Sequence, residues 1–181
     1  MSVIRFTFNA PKTLEAVLFL VGRRQGGMDR HSILKLLFFA DVDHLNRYGR
    51  PITGDQYRAL TYGPVGQGAY DLLKLDPLAL EAFDEEPFPL EAVGRFHIRP
   101  GRAFNAALLS RSDVAALSRA FETYGALDFD GRTDASHRHV AYQRARDAGA
   151  LLIRYEDFLE PGEDSAERAA ELAEAGPLMR L

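Results

Sequence analysis

The sequence predicts an α+β fold: a mainly helical single domain with a central buried helix and a small antiparallel sheet. The stretch 30–48 is apolar around most of its circumference, which is typical of a helix inside a core. Two short stretches, 56–62 and 95–99, alternate apolar and polar residues as half-buried strands do. A chain of 181 residues has the length of one compact domain. We therefore expect at least five helices around the 30–48 helix.

The first predicted elements are a short edge strand and an amphipathic helix. Residues 3–9 alternate, so that one face of the strand carries Ile4, Phe6 and Phe8. Asn9 can cap the following helix, and Pro11 is tolerated in a first turn. The apolar positions of this helix follow helical spacing at Leu14, Val17, Leu18 and Val21. Gly26 and Gly27 are expected to end it.

The second helix is predicted to be the centre of the domain. Asp29 is placed to cap it, and Gly49 is a natural left-handed terminator. Its apolar residues include three that we expect to be buried, namely Leu37, Phe38 and Leu45. Asp43 and Arg47 are spaced i, i+4 and are expected to pair on its polar side.

The segment RYGRPITGDQYRALTYGPVGQGAY, residues 47–70, combines turn residues with aromatic surface. It holds five glycines, two prolines and four tyrosines. Gly49 and Pro51 are expected to break the helix, PITGD predicts a turn, and QYRALTY predicts a strand over 56–62. Gly63 and Pro64 then predict a helix start, since proline is favoured at the first helical position.

The second half of the chain is predicted to be helical with two more strands. Residues 76–94 are rich in proline and acid and predict a loop, and 95–99 predicts a strand. Ser110 and Asp113 form a capping box for a helix that ends at Gly125. Further segments are interpreted as helix with breaks over 127–149, strand over 151–155 and acidic helix over 163–176. We divide the chain into a domain, 1–160, and an acidic C-terminal helix or tail, 161–181. The tail has a mostly alanine apolar face, so we expect it to be weakly attached.

Composition excludes several classes of function. The chain has no cysteine, which excludes disulfides and thiolate chemistry. Its net charge of −4 argues against general nucleic-acid binding, so nucleic acid is an unexpected partner. No apolar run approaches the ~20 residues of a membrane helix, and no signal peptide is recognisable. We expect a cytoplasmic protein with no membrane partner.

No motif for a phosphate, a metal or a cofactor is supported. GPVGQG has the spacing G-x-x-G-x-G, which differs from the dinucleotide and P-loop patterns, so we interpret it as structural. His137 and His139 could ligate a metal with Asp134, but helical spacing would make the two rings diverge. We therefore expect no cofactor and no metal.

Two alternative functions stay open at this stage. Asp41, His44 and Tyr48 lie on one side of the central helix and could form an acid–base site in a small enzyme. The structural alternative is a row of polar side chains that form hydrogen bonds to neighbouring elements and have no catalytic role. A basic stripe could instead touch phosphates in a transcriptional regulator; its members are Arg95, His97, Arg99 and Arg102.

The tyrosine-rich segment also predicts a partner-binding face, because Tyr and Arg are enriched at interface hot spots. If Leu60 faces inward, alternation leaves Tyr57 at the surface near an arginine and an aspartate. The predicted contact residues are Arg50, Asp55, Tyr57, Arg58 and Tyr62.

The segment KLLFFADVDHLNRYGRPITGDQYRALTYGPVGQGAYDLLK, residues 35–74, resembles the signature of the SocA-like antitoxin family, the Panacea domain. Its K-L-hydrophobic-hydrophobic-aromatic-A-D stretch, H-L pair, YGRPITGD turn, aromatic-x-A strand and G-P-V segment follow the family pattern. A capped helix ending in Tyr124-Gly125 and the pair Ser136-His137 are similar to the family's second half. The family often continues with Pro and Trp, whereas this chain has no Trp and offers Tyr142 there.

The resemblance, which covers roughly 12–155, implies an antitoxin that binds and neutralises a cognate protein toxin without catalysis. For the protein after which the family is named, it further implies an adaptor that presents the toxin to the ClpXP protease. An adaptor needs a second surface; we expect the acidic tail either to provide it or simply to remain mobile.

Overall fold

The computed structural model describes residues 3–81, 83 and 85–181 of the chain. The helices are α1 Ala10–Val21, α2 Arg30–Tyr48, α3 Gln67–Leu73, α4 Pro77–Leu80, α5 Arg111–Tyr124, α6 Phe129–His137, α7 Val140–Asp147 and α8 Ser165–Ala175. Two 3-10 turns are Tyr155–Phe158 and Gly176–Leu178. The strands are β1 Met28–Asp29, β2 Tyr57–Leu60, β3 Gly63–Gly66, β4 Leu90–Val93 and β5 His97–Pro100. The predicted α+β class and the prediction of at least five helices are confirmed.

Helix α2 is the centre of the core, as predicted. Asp29 caps it by accepting the N–H of Ser32, and Gly49 ends it with a left-handed φ of 70°. Helices α1, α3, α5 and α6 all pack against it. Its predicted core residues, Leu37, Phe38 and Leu45, are buried, which confirms them.

The strands form two sheets where the sequence predicted one. Strands β1, β5 and β4 make an antiparallel sheet in that order, and β2 pairs with β3 in a separate hairpin. The predicted strands 56–62 and 95–99 therefore exist but do not share a sheet. The sequence did not reveal the strands that they pair with. Strand β3, the partner of β2, lies in a stretch interpreted as a helix start, and β4, a partner of β5, lies in a proline-rich stretch interpreted as a loop.

The predicted helix start at Gly63-Pro64 is wrong. Residues 63–66 form β3, and α3 begins only at Gln67. The φ of Gly63 is 99°, which no right-handed helix contains. Among the described residues, the strand that holds Pro64 pairs with β2 alone, so the missing N–H of Pro64 breaks no ladder on the other edge.

Two further predicted strands are not formed. Residues 3–9 alternate in burial but have no partner strand; the N–H of Ile4 bonds to the carboxylate of Glu156 instead. Residues 151–155 make one isolated bridge, between Leu152 and Arg58, before the chain turns at Tyr155. Alternation thus located an extended backbone in both places, but neither segment is a strand of either sheet; Leu151 and Ile153 bond to Ala59 and Tyr57 of β2 around the single bridge.

The helix caps were well predicted. Asn9 accepts the N–H of Lys12 at the start of α1, although that helix ends at Val21, before the two glycines. Ser110 and Asp113 form the reciprocal capping box of α5. Asp43 pairs with Arg47 at 2.7 Å, as predicted, and also with Arg119 of α5. No helix in the described ranges is both long and apolar enough to cross a membrane.

Candidate partner-binding surface

A buried carboxylate fastens the β2–β3 hairpin to α2. Oδ1 of Asp41 accepts the N–H of Ile52 at 2.7 Å and that of Thr53 at 3.1 Å. Its Oδ2 accepts the hydroxyl of Tyr57 at 2.8 Å and also that of Thr53. Burial raises the pKa of Asp41, and these hydrogen bonds oppose the rise. One side chain therefore holds both the turn and the first strand residue.

A second buried carboxylate, Asp55, caps α3 from outside the helix. It accepts the N–H groups of Gly68 at 2.7 Å and Ala69 at 2.8 Å, which α3 leaves without intrahelical partners. It also accepts the N–H of Gln56 at 2.8 Å. Burial raises the pKa of Asp55 to about 6 against the effect of these hydrogen bonds. The hairpin and the helix after it are thus joined by one carboxylate.

The prediction that Tyr57 lies at the surface is wrong. Tyr57 is 2% exposed and Leu60 is 37% exposed, so β2 turns its odd face inward. Alternation correctly assigned residues 57 and 60 to opposite faces of the strand. The face of Tyr57 is the buried one, because its hydroxyl donates a hydrogen bond to the buried carboxylate of Asp41. Asp55 is also buried, so the predicted surface anchor of a tyrosine beside an aspartate does not exist.

Arg50 lies away from the outer side of the hairpin, beside Asp113 of α5. Asp113 of α5 lies within an ionic cluster, with Lys12 at 2.9 Å, His44 at 3.1 Å and Arg50 at 3.1 Å. Burial alone would raise the pKa of Asp113, but hydrogen bonds from His44 and Lys12 outweigh it and hold the pKa well below its ordinary value. This cluster ties α1, α2 and α5 together, so Arg50 does not share a face with Tyr62.

The three residues of the enzyme hypothesis do not assemble into one site. Asp41 serves the hairpin, whereas Nδ1 of His44 lies 2.7 Å from the carbonyl oxygen of Arg50 and its Nε2 lies 3.0 Å from Oγ of Ser112. Tyr48 is exposed, with its ring 4.7 Å from that of His44. Asp41 and His44 thus each have their own structural partners, as in the structural alternative, and Tyr48 contributes a ring contact.

Arg58 and Tyr62 lie on the outer side of the hairpin. Tyr62 is 61% exposed and makes an edge contact with Phe129 at 5.4 Å. Arg58 is partly buried, and its Nε has no hydrogen-bond partner among the described residues. Partner binding by these two residues stays a prediction.

Tyr62 borders a groove of about 840 Å³ between the hairpin, the start of α2 and the helices α6 and α7. We call it the aromatic groove, after four partly exposed rings that line it: Tyr62, Tyr70, Phe96 and Phe129. Its cations are Arg30, Lys35 and Arg146. An open patch of this kind is characteristic of binding surfaces.

Lys35 is at the floor of the aromatic groove. Only 1% of it is exposed, and its Nζ donates to the carbonyl of Pro64 at 2.9 Å. Burial lowers its pKa to about 7. A Cβ on Gly63 would lie 2.3 Å from Oγ of Ser136 and 3.2 Å from Nζ of Lys35, so the hairpin turn fits only a glycine there.

Two of the four residues in the basic stripe of the regulator hypothesis are paired with acids. Arg99 bonds to Glu91, and Arg102 bonds to Glu15 at 2.7 Å and to Glu85 at 2.8 Å. A phosphate would have to displace these carboxylates.

The histidines near residue 138 have structural contacts. His139 caps α7 by accepting the N–H of Ala141, and its ring lies edge-on to Phe38 at 5.1 Å. His137 stacks on Tyr142 with ring centroids 4.5 Å apart. Within the described part of the chain, no group of three or more potential ligands could hold a metal ion.

Sequence reasoning missed Lys35 and Phe129 as site residues. Lys35 offered a signal, because it is the one charged residue between Ile33 and Ala40 on a helix otherwise apolar there. Phe129 offered none, since its neighbours in the groove come from distant parts of the chain.

Comparison with known protein families gives a match over the core of the chain. The family model described as "Antitoxin SocA-like, Panacea domain" matches residues 33–141, which is more than half of the chain. The match runs from α2 into α7 and includes the hairpin, α5 and α6. Neither the curated proteins nor the solved structures yielded a match.

Proposed function

The chain belongs to the SocA-like antitoxin family, the Panacea domain, and we propose on that premise that it binds and neutralises a cognate protein toxin. The observation that carries the proposal is the family match over residues 33–141. These residues supply the core helix and most of the wall of the aromatic groove. Toxin binding would therefore use a surface built on the core of the domain.

The proposed activity is binding without catalysis. Aromatic and arginine side chains around a groove favour a protein interface, because they combine large contact area with polar tips. We propose Arg58 and Tyr62 as contact residues and Arg50 as a separate one near the start of α5. Asp55 and Tyr57 would act from inside, by holding the hairpin that presents them.

We further propose that the protein delivers its toxin to the ClpXP protease. The family resemblance supports this role, and the acidic segment 161–181 offers a second surface, since none of its described residues lines the aromatic groove. Such a role requires the protein and the protease to share the cytoplasm.

Neutralisation is tested by co-expression with the reading frame adjacent to the gene of this chain. Expression of that reading frame alone should arrest growth, and co-expression should restore it and yield a complex on purification. A reading frame that does not arrest growth, or arrest that this chain does not relieve, would contradict the proposal.

The contact surface is tested with two exposed tyrosines. Tyr62→Ala should weaken toxin binding about tenfold or more. Tyr48→Ala removes a tyrosine of similar exposure outside the groove and should change the dissociation constant little. Equal effects of the two variants would remove Tyr62 from the interface.

Delivery is tested by the half-life of the toxin. The half-life should fall when this chain is present, and only in cells that contain ClpX. Relief of arrest in cells that lack ClpX would show that binding alone neutralises the toxin.

A further inference from the structure

The aromatic groove combines rings with cations, and no acidic residue is among the described residues that line it. Of the described residues that line it, none is Asp or Glu, although the chain carries 26 acidic residues against 22 basic ones. A groove without acids on an acidic protein is complementary to a negatively charged group.

Two of the cations that line the groove have unused hydrogen-bond capacity. Arg30 donates through Nη1 to the carbonyl of Arg95 at 3.1 Å, but its buried Nε has no partner among the described residues. Lys35 is at the floor and bonds to the carbonyl of Pro64, which engages one of three ammonium protons. Burial without a counter-ion disfavours the charged form of Lys35, so an incoming carboxylate would favour that form and accept a charge-assisted hydrogen bond from it.

The walls around these cations are apolar and partly exposed. Phe129 stacks at a tilt on His31, with ring centroids 4.1 Å apart, and Tyr62 meets its edge. Phe96, in the turn between β4 and β5, is 58% exposed. A ligand with apolar side chains on both sides of its carboxylate could therefore pack those side chains against these rings.

We propose that the aromatic groove binds an extended segment of a partner protein in which one carboxylate side chain lies between apolar side chains. The carboxylate accepts hydrogen bonds from Arg30 and Lys35, Arg146 faces it from the rim, and the apolar side chains cover Tyr62 and Phe129. The inference rests on the proposed function in that the partner is the toxin.

The surroundings favour a peptide over a single-stranded nucleic acid, which could also stack on these rings. Exposed acids stand beside the groove residues on α6 and α7, namely Asp128, Asp130 and Asp147. A nucleic acid carries a phosphate at every nucleotide and would meet these acids on leaving the groove. A segment with one carboxylate avoids this repulsion.

The test uses a displayed library of random peptides of about 12 residues, selected against the full chain. Enriched peptides should share an Asp or Glu flanked by Leu, Ile, Phe or similar residues. A fluorescent copy of an enriched peptide should bind about tenfold more tightly than the copy with Asn or Gln at the acidic position. Phe129→Ala and Arg146→Glu should each weaken this binding about tenfold or more.

Arg138→Glu is the matched control for Arg146→Glu. Arg138 is exposed between α6 and α7, outside the groove lining, and the substitution makes the same change in net charge. Its binding should stay within about twofold of the unsubstituted chain. Circular dichroism should show all three variants folded.

Four results would overturn the inference: no enrichment, enrichment of peptides without an acid, binding unaffected by Phe129→Ala and Arg146→Glu, or displacement of the peptide by single-stranded oligothymidylate. The library requires no toxin, so it can succeed even if the neighbouring reading frame proves harmless. Conversely, a toxin that is neutralised equally by the groove variants leaves the antitoxin function standing and removes the groove as its site.

Discussion

Tyr57 and Tyr62 belong to one hairpin, and their different positions follow from what each hydroxyl can reach. The ring of Tyr57 lies 5.5 Å from that of Phe38, and its hydroxyl donates to the buried Asp41. Tyr62 lies beyond the strand and packs on the surface ring of Phe129. Alternation predicts that residues 57 and 60 face opposite sides. It does not predict which side is inside, because the acceptor that decides this is 16 residues away on α2.

At the residue scale, Tyr57→Phe should destabilise the protein more than Tyr155→Phe. Both tyrosines are buried, and each donates one hydrogen bond. Tyr57 donates to a carboxylate and Tyr155 to the backbone carbonyl of Asp55, and charge-assisted hydrogen bonds are the stronger class. We expect a loss in the free energy of unfolding of about 2 kcal/mol for Tyr57→Phe and about 1 kcal/mol for Tyr155→Phe. Urea unfolding at pH 7 measures both; equal losses would mean that Asp41 is neutral in the folded protein.

Lys35 should make stability increase with pH. Burial lowers its pKa from 10.5 to about 7, so between these pH values the unfolded chain binds more protons than the folded one. The free energy of unfolding then rises with pH, by about 2 kcal/mol between pH 7 and pH 9. Urea unfolding at several pH values should show this rise in the unsubstituted chain and a correspondingly smaller rise in Lys35→Met.

Lys74→Met is the control for the pH experiment. Lys74 is exposed and pairs with Asp71 at the surface, so its removal should leave the rise between pH 7 and pH 9 in place. If Lys35→Met and the unsubstituted chain gave parallel curves, Lys35 would keep its charge in the folded state throughout this range.

At the scale of elements, caps were predictable and strand partners were not. The caps of α1, α2 and α5 each depend on a side chain within four residues of the helix, so the local sequence contains the whole signal. The partner of a strand depends on distant residues: β5 pairs with β1 as well as β4, and Met28 lies opposite Ile98. Strand β3 adds a second difficulty, because Gly-Pro is compatible with a helix start and with a turn into an edge strand.

Gly63 should be the least replaceable glycine of the hairpin. Its φ of 99° is strained for any other residue, and a Cβ would also overlap Oγ of Ser136 at 2.3 Å. We expect Gly63→Ala to lower the free energy of unfolding by roughly 3 kcal/mol or more, because strain and overlap add. Gly94→Ala is the control: its φ is 61° with nothing within 4 Å, so only strain of about 1 kcal/mol applies. Thermal unfolding compares them, and similar losses would show that Ser136 and Lys35 move aside at little cost.

At the scale of the whole molecule, the domain is organised around α2, and this was predictable because that helix is apolar over most of its surface. The candidate site was only partly predictable. The sequence pointed to the hairpin and to Tyr62, which border the aromatic groove. The rest of the groove comes from elements brought together by the tertiary fold, from Arg30 to Arg146, and no local pattern connects them.

The C-terminal segment differs from the weakly attached tail that its alanine face suggested. Leu172 of α8 is buried, and Arg168 donates to the carbonyl of Asn46 at the end of α2 at 3.0 Å. Asn9 donates to the carbonyl of Leu181 at 2.8 Å, and a Cβ on Gly176 would lie 2.5 Å from the carbonyl oxygen of Arg5. The segment therefore packs against both the first residues of the chain and the end of α2, through contacts that alanine content does not reveal. The boundary between a domain and a tail at residue 160 stays a prediction.

Deleting residues 161–181 should lower the melting temperature and leave partner binding largely intact. The loss of stability follows from exposing the surface that Leu172 covers, about 2 kcal/mol, and from the hydrogen bonds of Arg168 and Asn9. Binding should persist because no described residue of the deleted segment lines the aromatic groove.

Leu172→Ala separates the two effects, since it should lower the melting temperature while keeping the acidic surface of α8. Calorimetry and toxin binding well below the melting temperature provide the measurements. If the deletion leaves the melting temperature unchanged, the segment is only weakly attached to the domain. If the folded truncated chain no longer binds the toxin, the segment is part of the toxin interface.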